Sequence, residues 1–359
     1  MRFPFLVAVI SVCIASMSCS KGISEVKPAS GGNGNGGGNP TVLKLRPGSV
    51  GIVGDTANVV KVVEPGMVLM GGGSDVDTAF QWMIERSGGG DVVIIRVSGT
   101  DAYNSFINNL GAVNSVETLK IDTKLLANND TVANIIRNAE MLFIAGGDQS
   151  DYMNLWRGTK TGDALNYLLK EKKVPFGGTS AGCAILGGFY FSGENGSVVS
   201  NEAIADPFAA NIKLYNNDFL QAPFLENVIT DQHYLTRTRE GRSVVFLSRI
   251  FNDFKVLPKG IAVDEKTAVC IDKDGKAKVL GTSKAYFLLP DAKHLPEQLV
   301  AGKPLIWNQK QEAISVYEIN ASPTGNGNFN LANFNAAEAS GGKWFYWSIE
   351  NQILTKKER

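Results

Sequence analysis

The sequence predicts an α/β fold: a doubly wound, mostly parallel sheet followed by a β-rich C-terminal extension. Three observations point to it. The strand-like runs at 91–97 and 141–145 hold continuous apolar stretches (Val92–Ile95 and Met141–Ala145), helical patterns stand between such runs, and glycine-rich turns follow them. An unbroken apolar strand is one covered on both faces, and alternation with helices makes neighbouring strands parallel. Ligands of such sheets bind at the carboxyl ends of the strands, so the glycine turns mark the edge where chemistry belongs.

Taken in order, Val68-Leu69-Met70 runs into Gly71-Gly72-Gly73, and Thr78 to Arg86 places Phe80, Met83 and Ile84 at helical spacing. Strands are expected at Asp91–Val97 and Val116–Ile121, then a helix from Asp130 to Ala139. Met141–Ala145 is a strand that stops at Gly146-Gly147, Ala164–Lys172 is helical, and Val174–Gly178 is a short strand leading to Thr179-Ser180-Ala181-Gly182. After about residue 260 the character changes. Val269–Asp272 and Ala277–Leu280 flank the turn Lys273-Asp274-Gly275-Lys276 as a hairpin, and further strands are expected at Lys284–Leu289 and Ala313–Ile319. Residues 45–280 are therefore read as the α/β domain and 281–359 as the β-rich extension packed against it.

The N-terminal segment is read apart from the fold. Arg2, the apolar stretch Phe3–Ile14 and the ending Ser16-Met17-Ser18-Cys19 make residues 1–19 a signal peptide whose end resembles a bacterial lipobox. Cys19 is then the lipidated residue. Residues 20–44, with their Gly/Asn run, form a flexible tether. The expected location is outside the cytoplasm, on the periplasmic face or cell surface of a bacterial membrane. Contact with that membrane is through the lipid only, since no second apolar span follows.

Composition removes several function classes. Among 359 residues, 35 Lys and Arg balance 35 Asp and Glu, which gives no field for holding nucleic acid. The four cysteines have no zinc-site spacing, and Cys183 and Cys270 sit in apolar contexts that suit buried free thiols. Without ligand clusters or nucleotide fingerprints, neither a metal nor a cofactor is expected.

Three segments carry chemistry. In Gly178-Thr179-Ser180-Ala181-Gly182, small neighbours leave a serine hydroxyl exposed on a strand-to-helix turn, with the following helix N-terminus aimed at the site. Taken alone, the same residues also suit an ordinary glycine-rich turn. A serine nucleophile needs a base, and the chain has two histidines. His294 lies in a surface-loop context, so His233, within Asp231–Arg242, is the better base. In Gly146-Gly147-Asp148-Gln149, two glycines let backbone N–H groups approach a ligand and Gln149 offers a side-chain donor.

Together these segments resemble the S51 family of serine peptidases, and within it the cyanophycinases. The likeness rests on Gly146 to Gln149, Gly178 to Gly182, the Asp231-Gln232-His233 segment with its following arginines, and the stretch Gly260-Ile261-Ala262-Val263-Asp264-Glu265-Lys266-Thr267-Ala268. It implies a fold like the class I glutamine-amidotransferase domain. It also implies attack by Ser180, proton transfer by His233, and an oxyanion held by N–H groups of Ala181, Gly146 and Gly147. Family position implies an acid between the serine and the histidine, with Glu202 first and Glu194 second. Gln149, Asp231, Gln232, Arg237, Arg239 and Arg242 match the family's substrate pocket, the arginines as grips for carboxylates. The implied substrate is cyanophycin or a related β-aspartyl peptide, and the implied assembly a homodimer. The gap of 53 residues between Ser180 and His233 is longer than the family's, through an insert at Phe189–Asn217. Two other readings stand beside this one: an S51 peptidase for other acidic dipeptides or isopeptides, and a non-catalytic lipoprotein that binds peptides.

Overall fold

The computed structural model describes residues 46–359. The signal peptide, the tether and Cys19 lie outside the described residues. The described residues form one compact unit built on two sheets.

The larger sheet has nine strands. Its middle is a parallel block in the order Ser115–Lys120, Asp91–Arg96, Met141–Ile144, Pro175–Thr179, Gly66–Met70. Ser49–Gly54 joins one side antiparallel, and Thr267–Asp272, Lys276–Gly281 and Asn326–Asn330 extend the other. The unbroken apolar strands have the cause anticipated for them. Met67, Leu69, Val93 and Ile95 face one core cluster, while Val68, Met70, Val92 and Ile94 face another. Each strand is thus buried on both sides. The helix Asp77–Arg86 covers the second face with Ala79, Phe80, Met83 and Ile84. The helix Asp130–Asn138 begins where the Asn129 side chain accepts from Thr131 N and Val132 N, and it buries Val132, Ala133 and Ile136.

The second sheet has eight strands, ordered Ile353–Glu358, Lys343–Glu350, Ile314–Asn320, Lys284–Leu289, Lys259–Val263, Val228–Gln232, Phe189–Phe191, Leu214–Asn216. One face shares a core with the larger sheet, through Ile261, Val263, Phe287 and Ile319. The other packs on the long helix Glu240–Phe254 through Val244, Val245, Leu247 and Ile250. The mixed α/β class and the β-rich C-terminal region are as predicted. The strands beyond residue 280 are shared out: Asn326–Asn330 completes the larger sheet and the rest enter the second. The insert also carries structure, since Phe189–Phe191 and Leu214–Asn216 pair as an antiparallel edge.

Candidate active site

Ser180 stands just past the carboxyl end of Pro175–Thr179, the middle strand of the larger sheet. Its backbone turns sharply, with φ 52° and ψ −118°, and its N–H donates to Met70 O at 3.1 Å. Both flanking glycines answer to close backbone approach. A Cβ on Gly178 would lie 2.5 Å from the carbonyl carbon of Gly182, and one on Gly182 would lie 2.3 Å from Ile144 O. The helix that follows, Ala181–Ala184, is a single turn. It is too short to supply the axial dipole expected from the sequence.

His233 comes from the second sheet. It follows the strand Val228–Gln232 with φ 49°, and its N–H donates to Gly71 O at 2.8 Å. That strand runs parallel to Lys259–Val263, with Gln232 opposite Val263. In-register strand ends therefore deliver residue 233 and residues 264–265 side by side. Ser180 Oγ lies 2.7 Å from His233 Nε2, and His233 Nδ1 lies 2.6 Å from Glu265 Oε1. With Nδ1 protonated toward the carboxylate, Nε2 is left as an acceptor for the serine hydroxyl.

Two neighbours fix this geometry. Asp264 Oδ1 accepts from Leu235 N, Thr236 N and Thr236 Oγ1, each at 3.0 Å, and its Oδ2 accepts from Ser283 Oγ at 2.7 Å. Burial raises the Asp264 pKa, but the hydrogen bonds from Thr236, Ser283 and Glu265 outweigh it and hold the carboxyl below its usual range. The adjacent pair Asp264-Glu265 thus clamps the turn behind His233 and the ring itself. From the other side comes Gly72, with φ +97°, where a Cβ would lie 2.3 Å from His233 Cε1. Only a glycine fits both that conformation and that distance.

His233 is 6% exposed. Burial lowers its pKa, the hydrogen bond that Nδ1 donates to Glu265 opposes this, and the charges of Arg237 and Arg239 push it down further. The net direction is downward, which keeps the ring neutral and basic near pH 7. Beside the hydroxyl, a Cβ on Gly146 would sit 3.4 Å from Ser180 Cβ. Among the described residues, the N–H groups of Gly146, Gly147 and Ala181 donate to no protein acceptor. An alcohol, a neutral imidazole, a carboxylate and unspent N–H donors can together perform acyl transfer.

Other residues singled out from the sequence lie elsewhere. Glu202 is exposed and turns back on its own short helix, accepting from Val199 N at 3.1 Å. Glu194 accepts from Tyr215 Oη at 2.9 and 3.2 Å and faces Lys213 at 3.7 Å. Neither orients His233; the carboxylate that does is Glu265. Asp231 and Arg242 are 3% and 1% exposed and form a two-point ion pair, Nε to Oδ2 at 3.0 Å and Nη2 to Oδ1 at 2.5 Å. Ser243 Oγ completes the cluster at 2.8 Å, and Arg239 Nη1 is committed to Gln232 O at 2.8 Å. Asp231 and Arg242 thus brace the wall behind His233 and are not free to grip a ligand; Arg239 and Gln232 are buried beside them, the Arg239 Nε without an acceptor. Arg237 is the exposed arginine of the three, and half-buried Gln149 faces the insert, its Nε2 3.1 Å from the position of a Cβ on Gly193. Cys183 and Cys270 are buried and unpaired. Among the described residues no His, Cys, Asp or Glu side chains gather as a metal site, and no helix is long and apolar enough to cross a membrane.

Sequence reasoning missed Glu265, Asp264 and Gly72. The first two stand inside the recognised stretch Gly260–Ala268, and an Asp-Glu pair at a strand end was the available signal. Gly72 had only a strand followed by three glycines to mark it.

The chain is similar in sequence to known peptidases. The model of peptidase family S51 matches residues 99–279. A cyanophycinase of Geminocystis herdmanii (strain PCC 6308) is 26% identical over 226 residues, covering 60% of this chain and 77% of that protein. A cyanophycinase of Synechococcus elongatus is 26% identical over 216 residues, covering 57% of this chain and 61% of its own length. The crystal structure of a peptidase from an acI-B1 Actinobacterium is 17% identical, with a TM-score of 0.46, over 67% of this chain and 96% of that one.

Proposed function

Because the chain belongs to peptidase family S51, we propose that it is a serine-type peptidase acting on cyanophycin or related β-aspartyl peptides through Ser180, His233 and Glu265. The observation that carries this reading is the continuous relay from Ser180 Oγ through both ring nitrogens of His233 to Glu265 Oε1.

In the proposed reaction Ser180 Oγ attacks the scissile carbonyl carbon while its proton passes to His233 Nε2. Glu265 stabilises the imidazolium that forms. The carbonyl oxygen, now an oxyanion, takes hydrogen bonds from the N–H groups of Ala181 and Gly147; one such donor is typically worth about 3–4 kcal/mol to the transition state. His233 returns the proton to the leaving amine. Water, deprotonated by the same ring, then releases the acyl group from Ser180. Arg237 is the candidate grip for a substrate carboxylate, since Asp231 and Arg242 are spent within the protein and Arg239 is buried while Arg237 is exposed.

Incubation with cyanophycin, followed by detection of β-aspartyl-arginine, tests the reading. The parent chain should release the dipeptide and a folded Ser180→Ala variant should not; equal release by both would overturn the serine mechanism. A second reading, a peptidase for other acidic dipeptides or isopeptides, is favoured by the insert, whose Gly193 abuts Gln149 at the edge of the site. A panel of α- and β-linked aspartyl peptides separates the two. The exported, lipid-anchored location rests on residues 1–19 of the sequence. Release of a Cys19→Ala variant from the membrane fraction of the cells that make it is its test.

A further inference from the structure

Between the helix Asp77–Arg86 and the strand Lys276–Gly281, the larger sheet opens into a cleft of about 270 Å³ whose lining includes Trp82, Arg86, Lys276, Lys278 and Asn328 and one acid, Asp272. It adjoins the strand Gly66–Met70 at its amino-terminal end. The opposite end of that strand leads to Gly71–Gly73 and the Ser180 site, so the cleft is separate from the proposed catalytic centre.

The cleft holds a cation whose bonding capacity is largely unspent. The Arg86 guanidinium stacks on Trp82, with Cζ 3.7 Å from the ring centroid. Gly66 makes room for the stack: a Cβ there would lie 2.4 Å from the Trp82 ring and 3.1 Å from Arg86 Cδ. The Arg86 side chain is only 16% exposed, and its Nε is buried with no acceptor. Nη1 reaches Trp82 O at a long 3.4 Å, and Nη2 is 4.0 Å from Glu64, whose side chain is 52% exposed. A rigid, largely desolvated fork of donors with so few partners is suited to a carboxylate.

The lysines add a ladder. Lys276 and Lys278 are exposed while Ala277 and Val279 are buried, so both stems leave the same face of one strand, about 7 Å apart. Nearby Lys273 and Lys284 are paired with Asp274 and Glu318. Among the described residues, neither Lys276 nor Lys278 pairs with a carboxylate. Two acids lie near the lysines: Asp272 Oδ1 accepts from Asp274 N and Lys276 N, and Glu338, within the field of Lys276, is held by Asn330, Asn333 and Asn335.

We propose that this cleft binds an extended, carboxylate-rich peptide segment. Alternate side chains of an extended chain repeat at the period of the two lysines. Two acidic side chains on one face therefore meet Lys276 and Lys278 together, while the stacked guanidinium takes a third carboxylate. The assignment does not depend on the hydrolytic reading.

Calorimetric titration of the Ser180→Ala chain with tetra-aspartate at low salt tests it, because no cleavage competes with binding. Saturable binding is expected, weakened at least tenfold by Lys276→Gln with Lys278→Gln and weakened by added salt. Both lysines are exposed, so the double variant should fold; its circular dichroism serves as the check. A parallel Arg237→Gln variant should bind at this cleft as the parent does. Unchanged affinity in the lysine double variant, or a loss confined to Arg237→Gln, overturns the proposal. So does binding of tetra-aspartate no tighter than that of inorganic phosphate.

Discussion

Glu265 Oε1 sits 2.6 Å from His233 Nδ1, and the two residues reach that distance from the ends of neighbouring parallel strands. The bond fixes the ring's tautomer and steadies a developing imidazolium. Glu265→Gln keeps the shape but loses the charge and, in one amide orientation, offers Nδ1 a donor instead of an acceptor. We expect kcat to fall by about 10³–10⁴ with KM little changed, by analogy with the acid of other triads. Glu202→Gln should leave kcat within about twofold, because that side chain only caps its own helix. Steady-state kinetics on both variants decides which glutamate serves the histidine.

Gly72 predicts a second loss from a residue with no functional group. A methyl at that position would lie 2.3 Å from His233 Cε1, on a backbone at φ +97° that L-residues rarely adopt. Gly72→Ala should displace the imidazole, and a displacement near 1 Å costs about 10²-fold in rate. Diffraction from crystals of the variant should show His233 withdrawn from Ser180. A variant with parental kcat and an unmoved ring would remove Gly72 from the site.

These two residues mark where the sequence stopped being readable. The double-sided burial of Val92–Ile95 and Leu142–Phe143 was legible because continuous apolarity has few other causes. Ser180 and His233 were legible because a serine between glycines is unusual and histidine is scarce in this chain. Glu265 was not, because its partnership is set by the register between Val228–Gln232 and Lys259–Val263, which no local pattern encodes. The arginines failed for a related reason: three cations after a histidine look alike until burial separates exposed Arg237 from Arg242. The sharing of the C-terminal strands between two sheets is likewise a long-range result.

Asp231 and Arg242 supply the third prediction. Their paired side chains are almost wholly buried, and Asp231 accepts also from Ser243. Removing one partner strands a charge in the interior, so Arg242→Met or Asp231→Asn should destabilise the fold by about 3–5 kcal/mol. Urea denaturation measures this as a fall in midpoint at unchanged slope. A substrate-gripping role predicts the reverse pattern, a raised KM with stability intact. Parental stability in both variants would return these residues to the pocket.

The last prediction concerns pH. His233 acts as base only when neutral, and burial with the nearby arginines holds its pKa below the ordinary 6.5. The acid limb of kcat/KM should therefore have its midpoint below 6.5, measured on a substrate that does not titrate in that range. Arg237→Gln removes one of the charges disfavouring the imidazolium, so the midpoint should rise toward the ordinary value. Glu265→Gln removes a charge favouring it, so in whatever activity survives the midpoint should fall. The same asymmetry sets a stability term: the unfolded chain takes up the proton first, so this contribution is complete above pH 6.5 and is lost as pH falls toward the folded pKa. A downward shift in Arg237→Gln, or a parental midpoint above 6.5, would contradict the electrostatic account of the base.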